Sequence, residues 1–287
     1  RILRTRRADL VIGVGGYTSP MMLLAAALTG VTRVILEPNA NPGIANKAVG
    51  PFAQRVFLAF ESAADSFNRS NVRVVGTPIR KAFLDGMQQS REKSGPPHLL
   101  IFGGSQGAKA INAAVMEGLP ELMTQLPQLT VTHQTGESDH ARVAEAYRRA
   151  GIESHVMPFL YDMPAALREA DLVVARAGAM TVAELTACGK PAILIPLPSA
   201  IYDHQTRNAK VMEAAGAAVV LPQSVLTGPL LVRTVASILR DPERLRVMGE
   251  ASLLMRRIDA AEVIVRECYA LMGVHHDVNR SIGAAGV

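Results

Sequence analysis

Tryptophan does not occur among the 287 residues, and aromatic side chains make up only 4% of the chain. So sparse a set argues against the stacking platforms on which single-stranded nucleic acid is read, and no basic stripe is interleaved with it. Cysteine is as scarce. Cys188 and Cys268 stand at no zinc or redox spacing, which excludes a disulfide scaffold or zinc ribbon and fits a reducing compartment. Long apolar runs are missing too: residues 21–28 come nearest and fall short of the ~18–20 that span a bilayer. Charged residues are few, at 19%, against 49% hydrophobic, which describes a packed globule rather than a disordered chain. The excess of Lys and Arg over acidic residues leaves a net charge of +5. That balance favours anionic partners, phosphorylated ligands or a lipid surface, over nucleic acid.

What is present is a recurring strand-then-helix pattern, the signature of parallel sheets covered on both faces. The first set of strands is expected at 10–14, 33–36, 55–60 and 72–75. The second is expected at 98–102, 129–133, 154–157, 172–175, 192–195 and 217–221. Residues 76–97, rich in Pro, Gly, Ser and charge, read as a linker with a short helix. The expected division is therefore 1–80, linker 81–97, and 98–256, with a last helix near 257–272 packing back on the first domain. Two stretches look alike, "VIGVGGYTSPMMLLAAA" and "LLIFGGSQGAKAINAAV", each running strand, Gly-Gly, helix. Two Rossmann-like domains account for that likeness. The first strand set is short, and the chain opens Arg1-Ile2-Leu3-Arg4 in mid-pattern without an apolar leader. A further N-terminal segment of the natural protein is expected before it.

Chemistry concentrates at strand ends. The loop Gly103-Gly104-Ser105-Gln106-Gly107 aims backbone N–H groups and a helix start at an anion, yet it has neither dinucleotide nor Walker spacing. A phosphorylated ligand other than the usual cofactors follows. "RAGAMTVAE" at 176–184 comes after the strand at 172–175, where open α/β sheets bind ligands. There Glu184 can accept both hydroxyls of a ribose, or it can merely close a capping box with Thr181 as the N-cap. "LPSAIYDHQTRNA" at 197–209 brings Asp203, His204, Gln205 and Asn208 to a third such loop. In the first part, Glu37, Asn39 and Asn46 lie just past a strand end, whereas Asn41 and Pro42 read as turn residues. Arg80, after "VVGTP", reaches either the linker or a phosphate or sugar. His275-His276 has no partners at metal-ligand spacing, so no metal is expected.

Taken in order, "GVGGYTS", "EPNANPGIANK", "VVGTPIR", "GGSQGAKAIN", "HQTGESD", "FLYDM", "RAGAMTVAE" and "DHQTRNA" resemble the MurG family of peptidoglycan glycosyltransferases over nearly the whole chain. The resemblance implies a GT-B fold: two Rossmann-like, doubly wound parallel-sheet domains facing a cleft, the first one incomplete here. It implies inverting transfer of N-acetylglucosamine from UDP-GlcNAc to lipid I, forming lipid II at the cytoplasmic face of the inner membrane. It implies a peripheral attachment to an anionic surface, no tightly bound cofactor, no metal and no nucleic acid. By position, Ser105 and its loop would hold the diphosphate, and the main chain at Leu160 would read uracil. Ala179, Met180, Thr181, Val182 and Ala183 would run along phosphate and ribose, and Glu184 would take the ribose hydroxyls. Gln205 would bind the GlcNAc hydroxyls, with Asn39 and Arg80 on the sugar and acceptor side. The family's "GGTGGH"-like loop, with the histidine that serves as base, has no counterpart here, so no catalytic residue is assigned and the chain alone is expected to bind donor without transferring sugar. Leu36 and Pro38 replace the family's usual His and Gln. The other readings are a UDP-GlcNAc 2-epimerase-like isomerase, which would need first-domain carboxylates not found here, and a non-catalytic UDP-sugar-binding fragment.

Overall fold

The computed structural model describes residues 2–84, 95–198 and 203–274. The chain divides into two compact units, Arg1–Ile79 with Arg257–Val287, and Arg80–Arg256. Residues 85–94 of the expected linker, and His275-His276, lie outside the described residues.

The first unit holds a short helix α1 (Ile2–Thr5), β1 (Leu10–Gly13), α2 (Thr18–Thr29), β2 (Thr32–Glu37), α3 (Ile44–Val49), β3 (Arg55–Leu58) and β4 (Val72–Val74). All neighbouring strands pair parallel, in the order β1-β2-β3-β4. Strand alternation sorts their side chains onto two faces. Ile35, Val56 and Leu58 pack with Leu23 of α2 and Val49 of α3. Val34 and Phe57 point the other way, where the chain's end covers them.

The second unit is a sheet ordered β10-β9-β8-β5-β6-β7, parallel throughout. Its strands are β5 (His98–Phe102), β6 (Thr130–Gln134), β7 (Ser154–Met157), β8 (Leu172–Ala175), β9 (Ala192–Leu194) and β10 (Ala218–Val220). Between them run α4 (Lys109–Gln125), α5 (His140–Ala150), α6 (Met163–Glu169), α7 (Ala179–Ala187) and α8 (His204–Ala214), followed by α9 (Gly228–Leu239) and α10 (Pro242–Leu254). Leu99 and Ile101 of β5 pack against Ile111, Val115 and Leu119 of α4 and Val235 of α9 in one continuous core. Burying each such side chain stabilises the unit by roughly 1.5–3 kcal/mol.

The last helix, α11 (Ala260–Leu271), belongs to the first unit. Its Ile264 and Cys268 close over Val34, Phe57 and Val75. Glu267 Oε2 lies 3.0 Å from Arg55 Nε, an ion pair without hydrogen-bond alignment.

Candidate functional site

Strand order places the site. The chain winds outward from β5 through β6 to β7, then returns to the other side of β5 as β8 and winds outward again to β10. The loops that leave β5 and β8 therefore diverge from neighbouring strands at the C-terminal edge, and the crevice between such loops is where open α/β sheets take ligands.

Helix caps mark the same place. The helices that follow the outermost strands are closed by their own side chains: Asp162 accepts from Ala165 N at 3.0 Å before α6, and Thr227 from Leu230 N at 3.3 Å before α9. The helices that follow β5, β6, β8 and β9 start at Ala108, Asp139, Gly178 and Asp203 with no side-chain cap bond. In α7 the first helical bond is Val182 N–H to the Gly178 carbonyl, 3.0 Å. The N–H groups of Ala179, Met180 and Thr181 precede it and have no intrahelical acceptor.

This overturns the capping-box reading of "TVAE". Gly178, in an extended conformation, is the N-cap, so Thr181 is a first-turn residue and Glu184 caps nothing. Glu184 is half-buried on α7, where burial raises its pKa while the positive charge of Arg80 opposes the shift. Val182 is corrected as a ligand residue. Its side chain is 2% exposed in the core, and its N–H is taken by Gly178. Ala179 and Ala183 are half-buried, and Met180 is exposed beside the uncapped turn.

The glycine loop leaves Ser105 exposed. Its far side is seated on the loop after β6: a Cβ on Gly107 would stand 1.9 Å from the Thr135 oxygen, and one on Gly136 2.2 Å from the Gln106 oxygen. Gln134 ties this wall further, accepting from Gly103 N at 3.3 Å and donating to the Pro158 carbonyl at 3.0 Å. Leu160, half-buried, follows Pro158 on the connection between β7 and α6, beside the edge-to-face pair Phe159–Tyr161.

Gln205 turns out to be a staple. Its Oε1 accepts from Ala177 N at 3.3 Å and Leu197 N at 3.0 Å, joining the loops after β8 and β9, while Asn208 Nδ2 donates to the Ala177 carbonyl at 3.2 Å. Asp203, just before it, holds the left-handed conformation at φ 57°, uncommon for a residue with a side chain. Arg176 is a site residue that sequence reading passed over. Buried at 9% exposure, it donates from Nη1 to the Ile195 and Pro196 carbonyls, 3.0 and 3.2 Å, and from Nη2 to Gln223 Oε1, 2.6 Å. One guanidinium thus gathers the ends of β8, β9 and β10. A lysine has no planar fork to reproduce this, so Arg176→Lys should lower the second unit's stability by about 2 kcal/mol in urea unfolding. An unchanged midpoint would show that the fork is dispensable.

In the first unit the residues past β2 organise one another. Glu37, 3% exposed, accepts at Oε1 from Asn39 N (3.0 Å) and Nδ2 (3.2 Å), and at Oε2 from Gly43 N (3.0 Å) and Asn46 Nδ2 (2.8 Å). Its carboxylate is the anchor of its own loop, and the Asn39 amide is committed to it. Arg80, exposed, lies with its guanidinium 5.1 Å from the Phe83 ring centroid.

Residues 98–264 match the glycosyltransferase family 28 C-terminal domain, and residues 1–58 the N-terminal domain of that family. The UDP-N-acetylglucosamine–N-acetylmuramyl-(pentapeptide) pyrophosphoryl-undecaprenol N-acetylglucosamine transferase of Syntrophus aciditrophicus is 44% identical over 272 residues, covering 95% of this chain and 75% of that protein. The crystal structure of Acinetobacter baumannii MurG superimposes with a TM-score of 0.80 at 33% identity, over 94% of this chain and 77% of the other. The chain belongs to the MurG family. Its two parallel α/β units are those expected of a GT-B member of that family. A putative UDP-N-acetylglucosamine 2-epimerase from Listeria monocytogenes shares the fold, with a TM-score of 0.73 over 96% of this chain and 77% of that one, but only 13% identity. That likeness is one of architecture, whereas the MurG likeness extends to sequence.

Proposed function

We propose that the open N–H groups of α7, the glycine loop after β5 and the carboxylate of Glu184 hold the UDP moiety of a UDP-GlcNAc donor. The reaction is that of the MurG family: N-acetylglucosamine passes from UDP-GlcNAc to lipid I, the undecaprenyl-diphosphate-linked muramoyl-peptide, giving lipid II. The bond from the anomeric carbon to the diphosphate breaks, a bond to the acceptor's 4-hydroxyl oxygen forms, and that hydroxyl's proton leaves. Negative charge then gathers on the departing UDP. N–H dipoles at Ala179–Thr181 and at Gly104–Gln106 of the glycine loop, whose Gly103 and Gly107 N–H groups are taken by Gln134 and the Gly104 carbonyl, are already oriented to receive it, without reorganisation during the reaction.

In this reading Ser105 and its loop seat the diphosphate, the Leu160 main chain meets uracil, and Glu184 accepts the ribose hydroxyls. The Gln205 oxygen is occupied by the protein, which gives its amide nitrogen the contact to the sugar. Arg80 serves the sugar side, while Asn39, its N–H and amide held by Glu37, shapes its own loop in the first unit. The observation that carries the reading is the pattern of caps: helices at the sheet's rim are closed by side chains, and those at its centre are open. Calorimetry with UDP and with uridine tests it. UDP is expected to bind at least tenfold more tightly; equal affinities would remove the diphosphate seat.

Attachment to the membrane is peripheral, and we place it on the cytoplasmic, anionic face. No helix among the described residues is long and apolar enough to cross a bilayer. Leu23 and Val49 are buried in the core and Arg55 is paired with Glu267, so none of the three is offered to a lipid surface. What remains is the outer side of α2, with Tyr17, Met21 and Leu28 exposed at helical spacing, together with Phe52 and Lys47. Vesicles containing anionic lipid should carry the protein down on centrifugation at low salt and release it at high salt. No sedimentation at either salt would exclude this surface.

A further inference from the structure

Beneath the glycine loop, set into the core of the second unit through Tyr147, lies a closed polar network. His133 and Tyr147 are fully buried, Asn112 is 1% exposed and Asp139 7%. Asn112 Nδ2 donates to the Thr135 carbonyl at 2.9 Å and to Asp139 Oδ2 at 2.8 Å. Its Oδ1 lies 3.1 Å from His133 Nε2. An amide oxygen only accepts, so the proton is on Nε2, and His133 Nδ1 accepts from the Tyr147 hydroxyl at 3.2 Å. Burial pushes the His133 pKa down to about 3, so the ring is neutral and keeps this single tautomer across the physiological range. Arg142 closes the far end on Asp139 Oδ1 at 3.0 Å.

The network acts on one atom group that matters to the ligand. Thr135, whose carbonyl Asn112 holds, is the backbone against which Gly107 is pressed. Asn112 itself stands in the first turn of α4, the helix that the glycine loop opens, and its N–H bonds to the Ala108 carbonyl at 2.9 Å. Loop, helix start and back wall are therefore set by the same side chain. Buried polar groups of this kind are costly when half-satisfied and rigid when complete.

We propose that His133 and Asn112 are positioning residues for the donor diphosphate, fixing the glycine loop at the distance the phosphate oxygens need. This rests on the assignment of that loop to the diphosphate. No proton transfer to substrate is involved: the His133 ring is enclosed and works as a fixed N–H donor.

The test compares UDP with uridine in the intact protein. His133→Phe keeps the ring and its edge-on packing against Tyr147 but removes both nitrogens, leaving the Asn112 oxygen unpaired. The Tyr147 hydroxyl loses its acceptor as well, so two buried groups are left unpaired, and UDP affinity should fall at least tenfold. Uridine affinity should stay unchanged. His133→Gln, which retains one donor and one acceptor, should recover most of the loss. Should His133→Phe fail to fold, Tyr147→Phe removes only the hydroxyl that holds Nδ1, and is expected to lower the UDP-to-uridine ratio about threefold. An unchanged ratio in the folded variants, or equal losses for UDP and uridine, would overturn the positioning role. If the parent protein itself fails to prefer UDP over uridine, the diphosphate reading fails instead, and the two failures are distinguishable.

Discussion

Gly107→Ala should destabilise the second unit by about 3 kcal/mol and remove donor binding with it. Gly107 sits at φ 74°, in the left-handed region, and its added methyl would stand 1.9 Å from the Thr135 oxygen and 2.4 Å from that carbonyl carbon. Neither neighbour is the end of a flexible side chain. Both are backbone, and Asn112 fixes them from behind. Relief would require the loops after β5 and β6 to separate, which moves the N–H groups of one ligand loop. Gly104→Ala is the contrasting case. Gly104 also has a positive φ, 90°, but a Cβ there meets nothing within 4 Å, so only the backbone strain of about 1 kcal/mol applies. Urea unfolding of both variants, with UDP titrations, separates the effects. Equal destabilisation would show that conformation rather than close approach decides this loop.

Both sheets were legible because parallel strands covered on two faces are written as short, uninterrupted apolar runs. Each expected strand exists, those at 98–102, 154–157 and 172–175 with the expected bounds and the others with ends displaced by a residue or two. The run 55–60 stops at Leu58, for instance, because Ala59 N–H turns to the Glu37 carbonyl. The likeness of "VIGVGGYTS" and "LLIFGGSQG" likewise marks real strand-to-helix loops in separate units. Strand order was not legible. That β5 lies between β8 and β6 depends on pairings such as Leu99 with Leu172, distant in sequence and unmarked by local pattern.

The site was half legible for the same reason. Loops at strand ends announce themselves by glycine, but what fixes them comes from elsewhere in the chain. Arg176 was overlooked, although a charge at the end of the apolar run 172–175 was a usable signal. His133 and Asn112 lay inside quoted motifs, yet nothing in "HQTG" reveals that the histidine's partner is in the first turn of α4. "TVAE" misled because it satisfies a capping pattern that the extended Gly178 pre-empts. No histidine base could be read ahead of the second sheet: residues 1–97 contain no histidine, and the earliest, His98, begins β5 and faces Thr130 and Thr132 at 2.7 and 3.0 Å.

Glu184→Gln should stabilise the empty protein while weakening its hold on UDP-GlcNAc, and the two effects have one cause. Burial in α7 raises the pKa of the Glu184 carboxyl, and the Arg80 charge offsets only part of the shift. A carboxyl whose pKa rises on folding contributes stability in full below the ordinary carboxylate range. That contribution is lost as pH rises through the raised value. At neutral pH the ionised group is therefore a burden on the unliganded fold, and glutamine, of the same shape, lacks the charge. Ribose hydroxyls are donors, so UDP gives the carboxylate the partners that its own helix cap does not provide. Losing charge-assisted bonds costs on the order of 1.5–3 kcal/mol, roughly 10–150-fold in affinity for Glu184→Ala, and somewhat less for Glu184→Gln, which keeps one acceptor. The parent's affinity should also decline as pH is lowered toward the raised pKa, earlier than an ordinary glutamate would cause, and the Gln variant should lose that dependence. Thermal melts and calorimetric titrations at stepped pH measure both. A variant that binds UDP-GlcNAc as tightly as the parent would reduce Glu184 to a residue of the helix alone.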